Sequence, residues 1–381
     1  MKKIIFGAFA AAALLSCSKD QLIEENRVND EISFSVVADN QTKAAAVYCA
    51  NNLMTEFQVS GTYTYEGTTK WYFQNDEITY SSSAWNNSTV RYWTAGTHDF
   101  YAIVNGTMTL TDIDAAPAVP TVDFTPTTNV AEQTDLLYAV AKGKTKSSPA
   151  VALNFRHALS QIEFKSKNTN AKLHVEISGV RVGQTPGEGT FTFPSVATDV
   201  NFTDHSQSST HTHTTGTWSV HTPTDYSVTF APAVTVEGNN SAVGLTLSTD
   251  AADASRKFTN SMLLLPTPAT TAWTPDAGES TFDGTYLGVD CKIYNVAGTS
   301  FDKATDICLH DGWAIIPASF TWNAGKKYIY TFVFGDGNGG YDGGDPDSPK
   351  PGVTPVLTPI TYTVTVDDFQ KGAESDVNFE F

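Results

Sequence analysis

The sequence predicts an all-β fold built from antiparallel sandwiches, on three observations. Apolar residues recur at every second position in short runs rich in Thr, Val, Tyr and Phe. Gly, Asn, Asp, Thr and Pro separate the runs. The same residues break every stretch in which a 3.6-residue period begins, so no helix of more than a few turns is expected. A chain of 381 residues has room for two such domains.

The elements follow in order. Met1-Lys2-Lys3 is a short basic start, and Ile4 to Leu15 is an apolar run broken only by Gly7. The run is too short to span a bilayer and ends at Leu14-Leu15-Ser16-Cys17, which reads as a lipoprotein signal over residues 1–16 with Cys17 acylated. The plainer alternative is an ordinary signal peptide in which Cys17 falls by accident. Residues 17–43 combine a polar tether with a first strand, where Ile32, Phe34 and Val36 alternate with Ser33 and Ser35. Runs around Phe57, Trp71, Tyr92-Trp93 and Phe100 follow. The polar, basic stretch Ala141 to Pro149 suggests a boundary, giving an N-terminal domain at 44–146 and a C-terminal one at 147–381. Later runs centre on Ile162, Leu173, Tyr226, Val243, Met262, Tyr286, Trp313 and Tyr328. Residues 335–352 are mostly Gly, Asp, Asn and Pro, and read as a flexible linker. Beyond it Ile360, Tyr362, Val364 and Val366 alternate with threonines, and Val377, Phe379 and Phe381 end the chain.

Composition narrows the function. Forty-one acidic residues face 23 basic ones, for a formal charge of -18, which becomes -20 once Lys2 and Lys3 leave with the leader. That charge argues strongly against nucleic acid as a partner, since phosphate binding needs cations. Cys49, Cys291 and Cys308 remain after lipidation. Cys291 and Cys308 lie in neighbouring runs, where a cross-strand disulfide could form, and their spacing makes no zinc pattern.

Several stretches, in their order, resemble the fimbrillin-like family, the pilins of type V pili. They are the signal around Cys17, the early strand before Thr42-Lys43-Ala44, Trp85 with Tyr92-Trp93 and Phe100-Tyr101-Ala102, and Asp135-Leu136-Leu137-Tyr138-Ala139. Phe155-Arg156-His157-Ala158-Leu159, Trp322 to Tyr328 and Ile360 to Asp368 complete the set. The resemblance implies two transthyretin-like Greek-key β-sandwich domains in tandem and export as a lipoprotein held in outer-membrane lipid through Cys17. It further implies a cut after Lys43 by a trypsin-like protease, removal of the first strand, and self-assembly with other pilin subunits by strand donation. The donor would lie within 360–381, with Ile360, Tyr362, Val364 and Val366 on one face. The family's usual residue at the cut is arginine.

Other chemistry is weaker. His211 and His213, with His205 and His221 nearby, could hold a metal but read more simply as a surface loop. Asp336, Asn338, Asp342, Asp345 and Asp347 lack the EF-hand spacing. The aromatic residues could build a sugar platform, although their period of two suits a core. No nucleophile elbow, metalloprotease helix or phosphate loop is present. A structural, non-enzymatic subunit without metal or cofactor is therefore expected. The competing reading is a monomeric surface lipoprotein that binds glycans, with a tip adhesin between the two.

Overall fold

A computed structural model describes residues 30–38, 54–146, 150–198, 216–246, 261–337, 339–344, 349–356, 358 and 360–368. The leader, Cys17, Lys43, Cys49, His205, His211, His213, Asn338, Asp345, Asp347, Val377, Phe379 and Phe381 lie outside the described residues. The described strands are β1 (Phe34–Ala38), β2 (Glu56–Tyr65), β3 (Thr68–Ser81), β4 (Ala84–Asn87), β5 (Thr97–Val104) and β6 (Thr121–Phe124). A 3-10 turn at Val130–Glu132 precedes β7 (Leu137–Lys144), β8 (Val151–His157), β9 (Ser160–Asn168), β10 (Leu173–Thr192) and β11 (Thr217–Val236). The rest are β12 (Val243–Gly244), β13 (Met262–Leu264), β14 (Tyr286–Asn295), β15 (Ile307–Pro317), β16 (Lys326–Phe334), β17 (Tyr341–Asp342) and β18 (Ile360–Asp368). The all-β expectation holds.

The N-terminal body is one seven-stranded sheet in the order β1-β8-β7-β5-β2-β3-β4. Two-residue turns join its first hairpins. Glu66 and Gly67 sit at φ 50° and 77°, and Ser82 and Ser83 at 54° and 64°. Paired left-handed residues of this kind match the natural twist of the strands they connect. The sheet rolls until its two edges meet. Glu31, just before β1, bridges to Tyr92, just beyond β4. Ile32, Phe34, Phe57, Val59, Phe73, Phe100, Leu153 and Phe155 fill the interior.

The C-terminal body is a true two-sheet sandwich. One sheet runs β11-β10-β14-β15-β17, and the other β12-β9-β16-β18 with β13 also on β9. Their inner faces share a single core that includes Phe164, Val175, Ile177, Val289, Ile293, Phe320, Trp322, Tyr330 and Phe332. Phe164 stacks on Phe332 at 5.8 Å, and the Trp322 Nε1 proton is donated to the Tyr330 hydroxyl at 2.9 Å. Burial pushes the Tyr226 phenol up to about 12.

Three sequence expectations change. The boundary at residue 146 falls one strand early, because β8 pairs with both β7 and β1 in the N-terminal sheet. The polar stretch is the end of β7 and its turn, and the chain passes between bodies at Ala158 and Leu159. β6 crosses the other way, pairing with β10 at Gly189 to Thr192. Second, the 335–352 segment is docked rather than free in its described parts. Tyr341 and Asp342 pair with β15, Gly343 donates to the Trp313 carbonyl, and Lys350 donates to that of Gly343. Glycine supplies the turns there, while Tyr341 packs on Trp273 at 5.7 Å. Third, Cys291 lies opposite Gly312 and Cys308 opposite Tyr294, so the two are out of register and both thiols are free.

A third cluster joins the bodies. Trp71, Tyr101, Ile103, Tyr138 and Val140 on the outer face of the N-terminal sheet pack against Phe191, Phe193, Leu263 and Leu265. The Trp218 indole donates to the Ala158 carbonyl at 2.8 Å. The Gln133 amide oxygen accepts from the Leu263 N–H at 2.7 Å. Two stretches singled out in the sequence also meet here: the Asp135 carboxylate lies 2.7 Å from His157 Nδ1, and the Ala158 N–H reaches the Leu136 carbonyl.

Phe191 is fully buried at this junction, 4.7 Å from Tyr138 and 5.3 Å from Trp218. Phe191→Ala is expected to cost about 3–5 kcal/mol, the usual range for emptying a phenylalanine site. Urea denaturation would measure it, and a loss below about 1 kcal/mol would mean that the junction adds little to stability.

Candidate assembly site

The site is built from two short strands, β1 and β18. β1 lies parallel to β8 over five positions, Phe34 opposite Val151 through Ala38 opposite Phe155. Alternation sends Ile32, Phe34 and Val36 inward, where they are 0%, 5% and 8% exposed. Phe34 fits edge-on between Phe57 at 6.3 Å and Phe100 at 5.4 Å. Three such side chains bury about 1.5–3 kcal/mol each of transfer free energy. Without β1, the β8 edge and this apolar floor would both face water, a costly exposure.

The other side of the slot is a lip formed by residues 91–93. The Ile32 N–H donates to the Arg91 carbonyl at 2.7 Å, and the Trp93 N–H donates to the Asp30 carbonyl at 2.8 Å. The Asn87 side-chain amide donates to the Ile32 carbonyl at 2.6 Å. The lip is held from behind. Arg91 makes a two-pronged ion pair with Asp76, Nε to Oδ2 at 2.7 Å and Nη2 to Oδ1 at 3.0 Å. That hydrogen bond pushes the guanidinium pKa above its ordinary value. The Tyr72 hydroxyl donates to the Tyr92 carbonyl at 2.9 Å and accepts from the Tyr92 N–H at 3.3 Å. Trp93 packs on His98 at 5.1 Å and Phe100 at 6.0 Å. Alternation marked Tyr92-Trp93 as a strand, and it is a single bridge. Asp76 and Arg91 carry no periodic signal, so sequence reasoning missed them.

β18 holds the four expected donor residues. It is an edge strand paired antiparallel to β16 over nine positions, Ile360 opposite Phe334 through Asp368 opposite Lys326. Its seating is uneven. Ile360 is 1% exposed and Tyr362 is half-buried, whereas Val364 and Val366 are 48% and 52% exposed. These valines lie opposite Tyr330 and Tyr328 on the core-facing side, so the strand's second half is an apolar surface with incomplete cover. Cys17 and Lys43, the expected lipidation and processing residues, fall outside the described residues.

Other candidates do not converge. Among the described residues no group of three or more His, Cys, Asp or Glu could hold a metal ion. Asp336 and Asp342 accept hydrogen bonds from the neighbouring Gly337 and Gly344 N–H groups. Trp273 and Trp313 are buried in a small cluster with Tyr286 and Ile315, so they offer no open stacking face. Among the described residues no helix is long and apolar enough to cross a membrane.

Residues 26–345 match the fimbrillin-like family. No curated protein matches the chain. A crystal structure of a fimbrial protein from Bacteroides vulgatus resembles it with a TM-score of 0.53 at 15% identity, covering 90% of this chain and 100% of that one. At that identity the likeness concerns the fold. A candidate cell-adhesion protein from Parabacteroides distasonis gives 0.45 at 10% identity, covering 90% and 99%. One from Bacteroides ovatus gives 0.43 at 13%, covering 91% and 100%.

Two outcomes follow from this geometry. Ile360→Ala should cost about 2–5 kcal/mol and Val366→Ala less than about 1, because one side chain is enclosed and the other half in water; thermal melts of the two variants would check the contrast. His98, behind the lip, has its pKa lowered by burial. A folded pKa below the unfolded one, about 6.5, means that the unfolded chain binds more protons. The stability involved is present above about pH 6.5 and lost as pH falls through the lower folded value. Urea midpoints should therefore drop more steeply from pH 7 to 5 in the parent than in His98→Gln, and parallel curves would refute this.

Proposed function

The chain belongs to the fimbrillin-like family, and we propose that it is a pilus subunit polymerised by strand exchange. As a member of that family it is a structural cell-surface protein, a pilus or adhesin subunit, and not an enzyme. In the proposed pathway the precursor is exported and acylated at Cys17, which holds it in the outer membrane. A trypsin-like protease that accepts lysine then cuts after Lys43 and frees β1. The C-terminal segment of a neighbouring copy fills the vacated slot.

One observation carries this reading: the strand that closes the N-terminal body and the strand at the C-terminus have the same side-chain pattern. Ile32-Ser33-Phe34-Ser35-Val36 is mirrored by Ile360-Thr361-Tyr362-Thr363-Val364. Both place an aliphatic residue, a ring and a valine on one face, with hydroxyl residues on the other. An added strand gains main-chain hydrogen bonds for affinity and pockets for alternate side chains. Ile360, Tyr362, Val364 and Val366 would gain on the order of 10 kcal/mol gross from burial, before ordering costs. In the free subunit β18 rests on β16 with its second half exposed, a seat from which it can peel.

Val364 separates the two states, since it is half-exposed in the free subunit and would be enclosed in the joint. Val364→Asp should leave the monomer's melting temperature within a few degrees of the parent and remove polymer ladders from native gels of surface fractions. Lys43→Ala should leave export intact and give the same loss of ladders. Normal ladders from both variants would sink the proposal.

A further inference from the structure

The acceptor slot has two walls, and only one of them is a strand. β8 offers a continuous parallel edge, which by itself permits an incoming strand to slip by two residues and still present the same face inward. The opposite wall is the 91–93 lip, whose main chain bonds the segment just ahead of β1 at the Asp30 carbonyl and the Ile32 N–H. Glu31, between them, is skipped. A contact this local has meaning only in one register.

We propose that the lip, braced by the Arg91–Asp76 ion pair, sets the register of the incoming strand, with Ile360, Tyr362 and Val364 of a second copy taking the places of Ile32, Phe34 and Val36. This rests on the strand-exchange reading above. Three observations carry it further. The brace does not depend on β1 for its own bonds, because Arg91 pairs with Asp76 and the Tyr72 hydroxyl holds the Tyr92 main chain. Asp76 is only 10% exposed, so the pair resists water better than a surface pair. The chain around Ile360 also fits the lip's demands. In the matching register the Ile360 N–H replaces that of Ile32, and the Thr358 carbonyl replaces that of Asp30. Pro359, which has no N–H to give, falls at the skipped position of Glu31. A slip of two residues in one direction would place Thr358 at the first pocket, a polar side chain where the floor is apolar. A slip in the other would send Tyr362 into the slot of Ile32. Asp76 and Arg91 are thus positioning residues for assembly.

Cross-linking tests the register directly. In the matching register Thr363 replaces Ser35 and lies opposite Ala152, on the outer face, within reach of a disulfide. Chains cleaved after Lys43, carrying Ala152→Cys with Cys49→Ser and Cys308→Ser, are mixed with chains carrying Thr361→Cys, Thr363→Cys, Thr365→Cys or Glu380→Cys in the same background. After mild oxidation the 152–363 dimer is expected to exceed the 152–361 and 152–365 dimers at least tenfold. Adding Asp76→Asn to the acceptor should bring that excess below about threefold while polymer still forms, a loss of fidelity that simple destabilisation does not produce. Equal yields at the three threonine positions, or an excess unchanged by Asp76→Asn, overturns the inference. A dominant 152–380 dimer overturns it in favour of the terminal residues as donor. Polymer with none of these pairs defeats the register alone, whereas the absence of both polymer and dimers defeats strand exchange and the register with it.

Discussion

A rolled sheet must join its first and last edges or leave a row of unpaired backbone groups beside an open core, and here that closure depends on β1. Five residues complete the parallel ladder to β8, and Asp30 to Ile32 complete the seam to the lip. The interior depends on it as well, since Phe34 is the ring that fills the space between Phe57 and Phe100. Whatever occupies this slot decides whether the N-terminal body is a finished domain. The same dependence that would be a liability in a solitary protein becomes a joint in one that assembles.

The two ends of the chain are built to different degrees of commitment. β1 is enclosed along its inward face, and β18 only at its beginning, where Ile360 and the preceding Val356 enter the sandwich core. Two half-exposed valines leave the end of this edge strand an incompletely covered apolar surface. In its described parts the Gly- and Asp-rich segment is tied to β15 through Tyr341 and Asp342, and the Val356 N–H reaches the Gly340 carbonyl. Under the proposed exchange the donated part would accordingly be short.

Much of this was legible in the sequence, and what was not has physical reasons. Alternation over Ile32 to Val36 and Ile360 to Val366 marked β1 and β18, while the apolar runs Phe100 to Val104 and Tyr328 to Phe334 marked β5 and β16, which are largely buried on both faces. The second half of β10 and its partner in β11 run through Thr185 to Thr192 and Thr217 to Thr224, where Gly, Pro, Thr and Ser predominate and few apolar side chains mark the period. β6 and β17 are too short to signal. The linker was misread because glycine and aspartate mark turns, and composition does not distinguish a loose segment from one pinned by Tyr341. At the site, the strands were visible and the lip was not. Asp76 and Arg91 lie fifteen residues apart, and it is the β3–β4 hairpin, continued by the Ser88 N–H on the Glu77 carbonyl, that brings them together.

The stitching of the two bodies has a mechanical consequence. The chain leaves the N-terminal sheet to lay β6 on β10, returns for β7 and β8, and leaves again at Ala158. Tension drawing the bodies apart would have to shear β6 from its neighbour while also unpacking the aromatic cluster around Phe191. A fibre of such units would yield by flexing where subunits meet, with each unit behaving as a rigid link under load.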